Sequence, residues 1–224
     1  MTLLRGNVDT TSSITLEGAD IERLTLKTST GDAIRIDESA MTLLPTPDGM
    51  GVIAAGRSIG TDGRAIVGRW NFGGAPGSEF TLSVDSQFPI RPAGLATDLT
   101  ARRIAVLFGE TAAEGVLQIY DAQAGPNDAP REILLASLGD VKPAGWDSKY
   151  SPVTWLDAKT LLLYGNTVID AETGGLLGRL SIDGVVGVLP SVGNVVPMVT
   201  SDGMGRKLVY AIVDAEALDA TRKR

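Results

Sequence analysis

The chain contains no cysteine and no histidine. Without cysteine there is no disulfide, no zinc–thiolate centre and no thiol nucleophile. The compartment stays open, because an oxidising one permits disulfides without requiring them. Without histidine the commonest transition-metal ligand and the commonest general base near neutral pH are both gone. That excludes a Ser-His-Asp triad and any histidine-ligated metal centre. Aromatic residues make up only 5% of the chain, and 20 Lys and Arg are outnumbered by 27 Asp and Glu, for a formal net charge of −7. That balance argues against nucleic acid and anionic membrane as partners, since both need a basic footprint. The cluster Arg222-Lys223-Arg224 reads as a terminal tail. No apolar run approaches the roughly 18 residues needed to span a bilayer. Met1-Thr2-Leu3-Leu4-Arg5 lacks the apolar core of a signal peptide. Neither membrane insertion nor an export signal is expected, and localisation is left open.

What is present is apolar and turn-rich: 43% hydrophobic residues with 27 Gly and 11 Pro in 224. Such a composition fits many short strands and argues against intrinsic disorder. The most regular stretch is 152–180, PVTWLDAKTLLLYGNTVIDAETGGLLGRL. Val153 and Trp155 lead a first strand that stops at the polar break Asp157-Ala158-Lys159. Leu161-Leu162-Leu163-Tyr164 is an apolar run too short for a helix, as expected of a strand buried on both faces. Thr167-Val168-Ile169 gives a third strand. Asp170-Ala171-Glu172-Thr173-Gly174-Gly175 is turn chemistry, and Leu176, Leu177 and Leu180 begin the return. The whole is a four-stranded antiparallel meander.

Looser copies flank it. Residues 42–84 carry strands around Leu43-Leu44, Val52 to Ala55, Ala65 to Phe72, and Glu79 to Val84. Residues 92–138 carry Gly94 to Ala96, Arg103 to Gly109, Gly115 to Asp121 and a return from Glu132, where EILLASL also suits a short helix. Residues 139–151 form a connection containing Trp146. Further short strands are expected at 185–189 and 195–200. Thr200-Ser201-Asp202-Gly203-Met204-Gly205 nearly duplicates Thr46-Pro47-Asp48-Gly49-Met50-Gly51. That match places 207–213 (KLVYAIV) in the slot of the inner strand. The last eleven residues have helix-forming or disordered composition. At the other end, residues 1–12 read as an irregular polar lead-in, followed by a strand at 14–17. A hairpin of 21–27 with 33–37 comes next.

The turn anchors Asp48, Leu99, Asp157 and Asp202 recur at intervals of about 45 to 60 residues, and four-stranded repeats of that period mark a propeller. A Pro-Asp-Gly turn before a strand, with a closing Asp-Ala-x-Thr-Gly turn at Asp170 to Gly174, resembles the WD40-like and related bacterial β-propeller repeats. No Gly-His dipeptide is present, and the resemblance implies the fold and no functional residue. The expected fold is all-β: one domain over 1–224, a β-propeller of about four four-stranded antiparallel blades, alone or as part of a larger propeller. Its repeats are 42–84, 92–138, 152–184 and 185–213. The last has only its first two strands, and residues 14–37 complete it by pairing the two ends, which removes exposed sheet edges. A β-sandwich is the alternative, since alternating strands alone do not distinguish it.

Candidate chemistry is sparse. Asp62, Asp98, Asp121, Asp157, Asp170 and Asp202 could line one end of a ring and hold calcium through oxygen ligands. Each also stands where turns favour Asp, and no EF-hand run is present. Asp147 with Asp157 could form the carboxylate pair of a glycosidase, but nothing in the spacing selects them. The Gly-rich stretches at Gly49-Met50-Gly51 and Gly73-Gly74-Ala75-Pro76-Gly77 lack a following Gly-Lys-Ser/Thr and read as turns. Of the three tryptophans, Trp70 and Trp155 are expected in the core. Trp146, with Lys149 and Tyr150 beside it, is the best partner-binding candidate, because exposed Trp and Tyr are favoured at interface hot spots. No catalytic, metal or cofactor-binding residue and no cofactor is expected. The favoured function is a noncatalytic module or scaffold that binds another protein. Two alternatives remain: a propeller enzyme acting on carbohydrates or small ligands through carboxylates, and a structural part of a larger protein.

Overall fold

A computed structural model describes residues 2–7, 10–15, 25–27, 33–35, 42–45, 51–57, 65–71, 80–85, 92–98, 100, 102–109, 115–121, 129–191 and 194–222. Strands β1 (Thr2–Asn7) and β2 (Thr10–Thr15) form one antiparallel hairpin. Strands β3 (Thr25–Lys27) and β4 (Ala33–Arg35) form a second. Three four-stranded meanders follow. Sheet I comprises β5 (Thr42–Pro45), β6 (Gly51–Arg57), β7 (Ala65–Asn71) and β8 (Phe80–Asp85). Sheet II comprises β9 (Pro92–Thr97), β10 (Arg103–Phe108), β11 (Val116–Asp121) and β12 (Arg131–Leu134). Sheet III comprises β13 (Val153–Asp157), β14 (Thr160–Leu163), β15 (Thr167–Asp170) and β16 (Leu176–Arg179). Sheet IV has three strands, β17 (Val185–Val188), β18 (Val195–Ser201) and β19 (Arg206–Ile212), followed by helix α1 (Ala215–Arg222). In each sheet the strands pair in chain order.

The sheets stack face to face, and the sequence explains why. In β10, Ile104, Val106 and Phe108 pack toward Ile53, Ala55 and Val67 of sheet I. The alternate residues Ala105 and Leu107 pack toward Val153, Trp155 and Leu161 of sheet III. In β14, Leu161 and Leu163 face sheet II, while Leu162 faces Val185, Val196 and Met198 of sheet IV. Side chains alternate across a strand, so one flanked by sheets on both faces must be apolar throughout. This is why RIAVLF and TLLL show no polar alternation. Each fully buried Leu, Ile or Phe contributes about 1.5–3 kcal/mol. The first strands β5, β9 and β13 of successive sheets lie side by side. Gly94 in β9 is needed there, since a Cβ would fall 2.4 Å from Pro152 Cδ.

Several expectations change. Residues 2–7 are a strand rather than an irregular lead-in. Residues 132–138 are both strand and helix, because β12 runs directly into a 3-10 turn at Leu135–Ser137. The last repeat has three strands, not two. Its Asp202 turn joins β18 to β19, the second and third strands, whereas the Asp157 turn joins the first and second. Matching the two turns by sequence therefore puts β19 one strand out of place. The anchors Asp48 and Leu99, with Asp62 and Gly73 to Gly77, lie outside the described residues. Among the described residues β3 pairs only with β4, beside β8 of sheet I, and no ladder joins the N-terminal hairpins to sheet IV. The C-terminal segment is helical through Arg222.

Candidate functional site

In a meander, turns alternate between the two ends of the sheet. The first and third turns of each sheet therefore lie at one end, called here the near end. The second turn and the connection to the next sheet lie at the far end. The aspartates sort accordingly. Asp98, Asp121, Asp157 and Asp170 are at the near end and Asp202 is at the far end, so these five do not form one ring.

Most of these carboxylates hold a turn. Asp98, only 5% exposed, accepts from Arg102 N (2.8 Å), Arg103 N (3.1 Å) and Thr100 Oγ1 (2.8 Å). Asp157 accepts from Lys159 N (2.7 Å) and Thr160 Oγ1 (2.8 Å). Asp170 accepts from Glu172 N, Thr173 N and Thr173 Oγ1. Asp202 accepts from Met204 N and Gly205 N and pairs with Lys207 at 2.6 Å. The Lys207 ammonium, then the Met204 N–H, holds the Asp202 carboxyl below the usual carboxylate range. Asp121 pairs instead with Arg102 at 3.7 Å.

Two near-end hollows lie among these turns. One, of about 210 Å³, is lined by Asp98, Thr100, Trp155, Leu156, Asp157 and Ser191, that is, by the first turns of sheets II, III and IV. Ser191 Oγ donates to the Trp155 carbonyl at its wall. The other, of about 200 Å³, lies between sheets II and III beside the Arg103–Glu172 pair (3.4 Å). Among the described residues, no three His, Cys, Asp or Glu side chains converge in metal-binding geometry.

The far end holds the predicted partner-binding residues. Connection 139–151 leaves sheet II and crosses the gap between sheets III and IV. Arg179 fastens its start, donating to Leu138 O (2.7 Å) and Asp140 O (2.8 Å). Trp146 is half-buried and packs against the cores on both sides of sheet III. Its ring meets Tyr164 edge-on at 5.2 Å. Asp147 N donates to Val186 O of β17 (2.9 Å). The Asp147 carboxylate accepts from Lys149 N (3.0 Å) and from Arg206 at 2.7 Å. The Lys149 N–H, then the Arg206 guanidinium, holds the Asp147 carboxyl below the usual carboxylate range, and the Asp147 carboxylate in turn raises the pKa of the Arg206 guanidinium. Tyr150 lies on Gly187, where a Cβ would fall 2.1 Å from its ring. The Lys149 side chain is exposed. Trp155 is in the core as expected and donates through Nε1 to Ala96 O of sheet II (3.3 Å). Trp70 is on β7, with its side chain outside the described residues. Asp147 at the far end and Asp157 at the near end are on opposite ends of sheet III, so they do not form a glycosidase pair.

The feature missed from sequence is the open face of sheet IV. On β19 and just past its end, Val209, Ala211 and Val213 pack into the core shared with sheet III. Leu208, Tyr210 and Ile212 alternate with them and are 51%, 64% and 75% exposed. Both sets are apolar, so KLVYAIV reads as buried on both faces. Nothing in the alternation separates a face covered by a neighbouring sheet from one left open. Arg206, with its Asp147 partner, stands at the far-end border of this strand.

No protein-family model matches the chain, and neither does any curated protein. Among solved structures it is similar to a prolyl endopeptidase at 12% identity, with a TM-score of 0.50, over 82% of this chain and 29% of that one. Weaker likenesses are to an uncharacterized protein of Listeria monocytogenes (11% identity, TM-score 0.34, 78% and 63% of the two chains) and to TolB of Acinetobacter baumannii (13%, 0.28, 80% and 52%). The chain therefore spans about 29% of the length of the prolyl endopeptidase chain. The fold is all-β and propeller-like.

Proposed function

We propose that the chain is a noncatalytic protein-interaction module of four propeller-like blades, the fourth short by one strand, which engages a partner through the open side of sheet IV. The observation that carries this reading is the exposed Leu208-Tyr210-Ile212 stripe on a strand that, among the described residues, has no ladder partner beyond it. Monomeric proteins seldom leave a contiguous apolar patch on a bare sheet edge, since both invite association. Among the described residues, by contrast, the near-end Asp98, Asp157 and Asp170 accept turn hydrogen bonds and Asp121 pairs with Arg102, so no observation favours the enzyme reading.

The reading is tested by placing a photo-crosslinking amino acid at Tyr210 in the producing cell, with the same label at exposed Lys159 on sheet III as control. A discrete protein adduct at Tyr210 that is absent at Lys159 is expected. The same adducts from both positions, or none from either, would overturn it. The structural-fragment reading draws on the same open face, on which a further sheet would pack. It predicts an isolated chain that self-associates without limit.

A further inference from the structure

Resting on that reading, we propose that the partner at this face is a second copy of the same chain, joined by antiparallel pairing of β19 with β19 about a twofold axis at Tyr210. The ladder inside sheet IV shows which backbone groups are free to make it. Leu189 N donates to Pro197 O (3.0 Å), so Pro197 directs its carbonyl toward β17. Pro197 is opposite Tyr210 in the β18–β19 register. In an antiparallel ladder such a pair exchanges no hydrogen bond, and the N–H and C=O of Tyr210 point away from β18. Val213 N donates to Asn194 O (2.8 Å), which fixes the alternate set toward β18. The outward donors and acceptors of the open edge are thus those of Leu208, Tyr210 and Ile212. These same residues carry the exposed side chains.

The side chains select one register. Centring the axis on Tyr210 places Tyr210 opposite its copy, Leu208 opposite Ile212, and Arg206 opposite Asp214. Every outward N–H then meets an outward C=O, and the apolar stripe covers itself. The strand begins basic, with Arg206 and Lys207, and is followed by acidic Asp214 and Glu216. Antiparallel pairing sets each basic start against the other copy's acidic end. Arg206 already holds Asp147, and Asp214 caps α1 through Glu216 N and Ala217 N. Pairing therefore juxtaposes opposite charge and needs no new bridge. Shifting the axis by one residue in either direction opposes Arg206 to Ile212, or Leu208 to Asp214. Helix α1 packs against β16, with Leu218 in the core shared with sheet III. An isologous contact of this kind closes at two copies.

The test is light-scattering mass measurement of the full chain up to about 100 µM, together with single-cysteine cross-linking, which the cysteine-free sequence makes clean. A dimer is expected. Tyr210→Cys should form an intermolecular disulfide at least about tenfold faster than Leu208→Cys, since Cα atoms of a directly opposed pair are about 5.5 Å apart and those of 208 with its own copy about 14 Å. An equimolar mixture of Leu208→Cys and Ile212→Cys should cross-link where each alone does not. Tyr210→Pro removes an outward N–H without touching the β18 ladder. It should yield a monomer with unchanged circular dichroism, and Ile212→Lys should do the same. A monomer at every concentration, growth beyond two copies, a dimer unaffected by both substitutions, or cross-linking at 208 as fast as at 210 would each overturn the proposal. A monomer whose Tyr210 photo-adduct is another protein would overturn self-pairing alone and leave the interaction reading standing.

Discussion

Adding one methyl group at Gly165 tests whether sheets III and IV are locked by close packing. Gly165 lies in the β14–β15 turn at φ +71°, and a Cβ there would fall 2.8 Å from Val185 Cγ1 and 2.9 Å from Val188 Cγ2. Both valines are buried. Gly165→Ala therefore incurs two costs: about 1–2 kcal/mol for an L residue in the left-handed region, and about 1–3 kcal/mol for overpacking a filled core. Gly203→Ala isolates the first, since Gly203 has φ +83° with nothing within 4 Å of its Cβ. Gly178→Ala, in β16 with open space and ordinary φ, removes both and should stabilise by about 0.5–1 kcal/mol. Urea denaturation of the three variants should order them Gly178→Ala, wild type, Gly203→Ala, Gly165→Ala. In thermal melts the two destabilised variants should drop by about 2–8 °C and 4–20 °C respectively. Gly165→Ala no worse than Gly203→Ala would refute the close approach of this turn to β17.

Two further perturbations probe the joints. Trp155→Phe removes the indole N–H from the buried Ala96 carbonyl and should cost about 1–3 kcal/mol in urea denaturation; a change under about 0.5 kcal/mol would deny that this bond ties sheet III to sheet II. For Asp147 the folded carboxyl titrates below its unfolded value, so its contribution is present above the ordinary aspartate range near about pH 4 and is lost as pH falls through the lower folded value. The melting-temperature difference between wild type and Asp147→Asn should hold from neutral pH to that range and then shrink; a difference that persists or grows in stronger acid contradicts the Lys149 and Arg206 contacts. Asp202 shifts in the same direction, which is why the difference between the two proteins is the diagnostic quantity.

Sheet III was legible almost to the residue. Its strands are bounded by Asp157, by Gly165-Asn166 and by Asp170 to Gly175, each of which acts locally through a side chain or a positive φ. Local chemistry of that kind survives in a single sequence. What did not survive was register between repeats. The sequence around Asp202 nearly repeats that around Asp48, and an Asp-Gly turn does not record whether it joins a first strand to a second or a second to a third. The site residues show the same division. Trp146 and Tyr150 were singled out as a loop aromatic pair, and the loop does carry them. Their placement against Tyr164 and Gly187 depends on a connection that crosses from one sheet to the next, which no periodicity encodes.

The least legible fact, that β19 is open on one side, is also the one with the most functional content. β10 and β14 have no polar face because a sheet lies on each side of them. β19 has no polar face either, yet a sheet covers only one of its sides. A sequence shaped only for the isolated chain would place Lys, Thr or Glu at 208, 210 and 212, as edge strands ordinarily do. Their absence makes the composition of β19 that of an interior strand, and interior strands are completed by something. The backbone groups left over on its edge and the charges at its two ends are self-complementary in one register. That selects a second copy over an arbitrary apolar partner, since a foreign partner places no twofold constraint on the pattern.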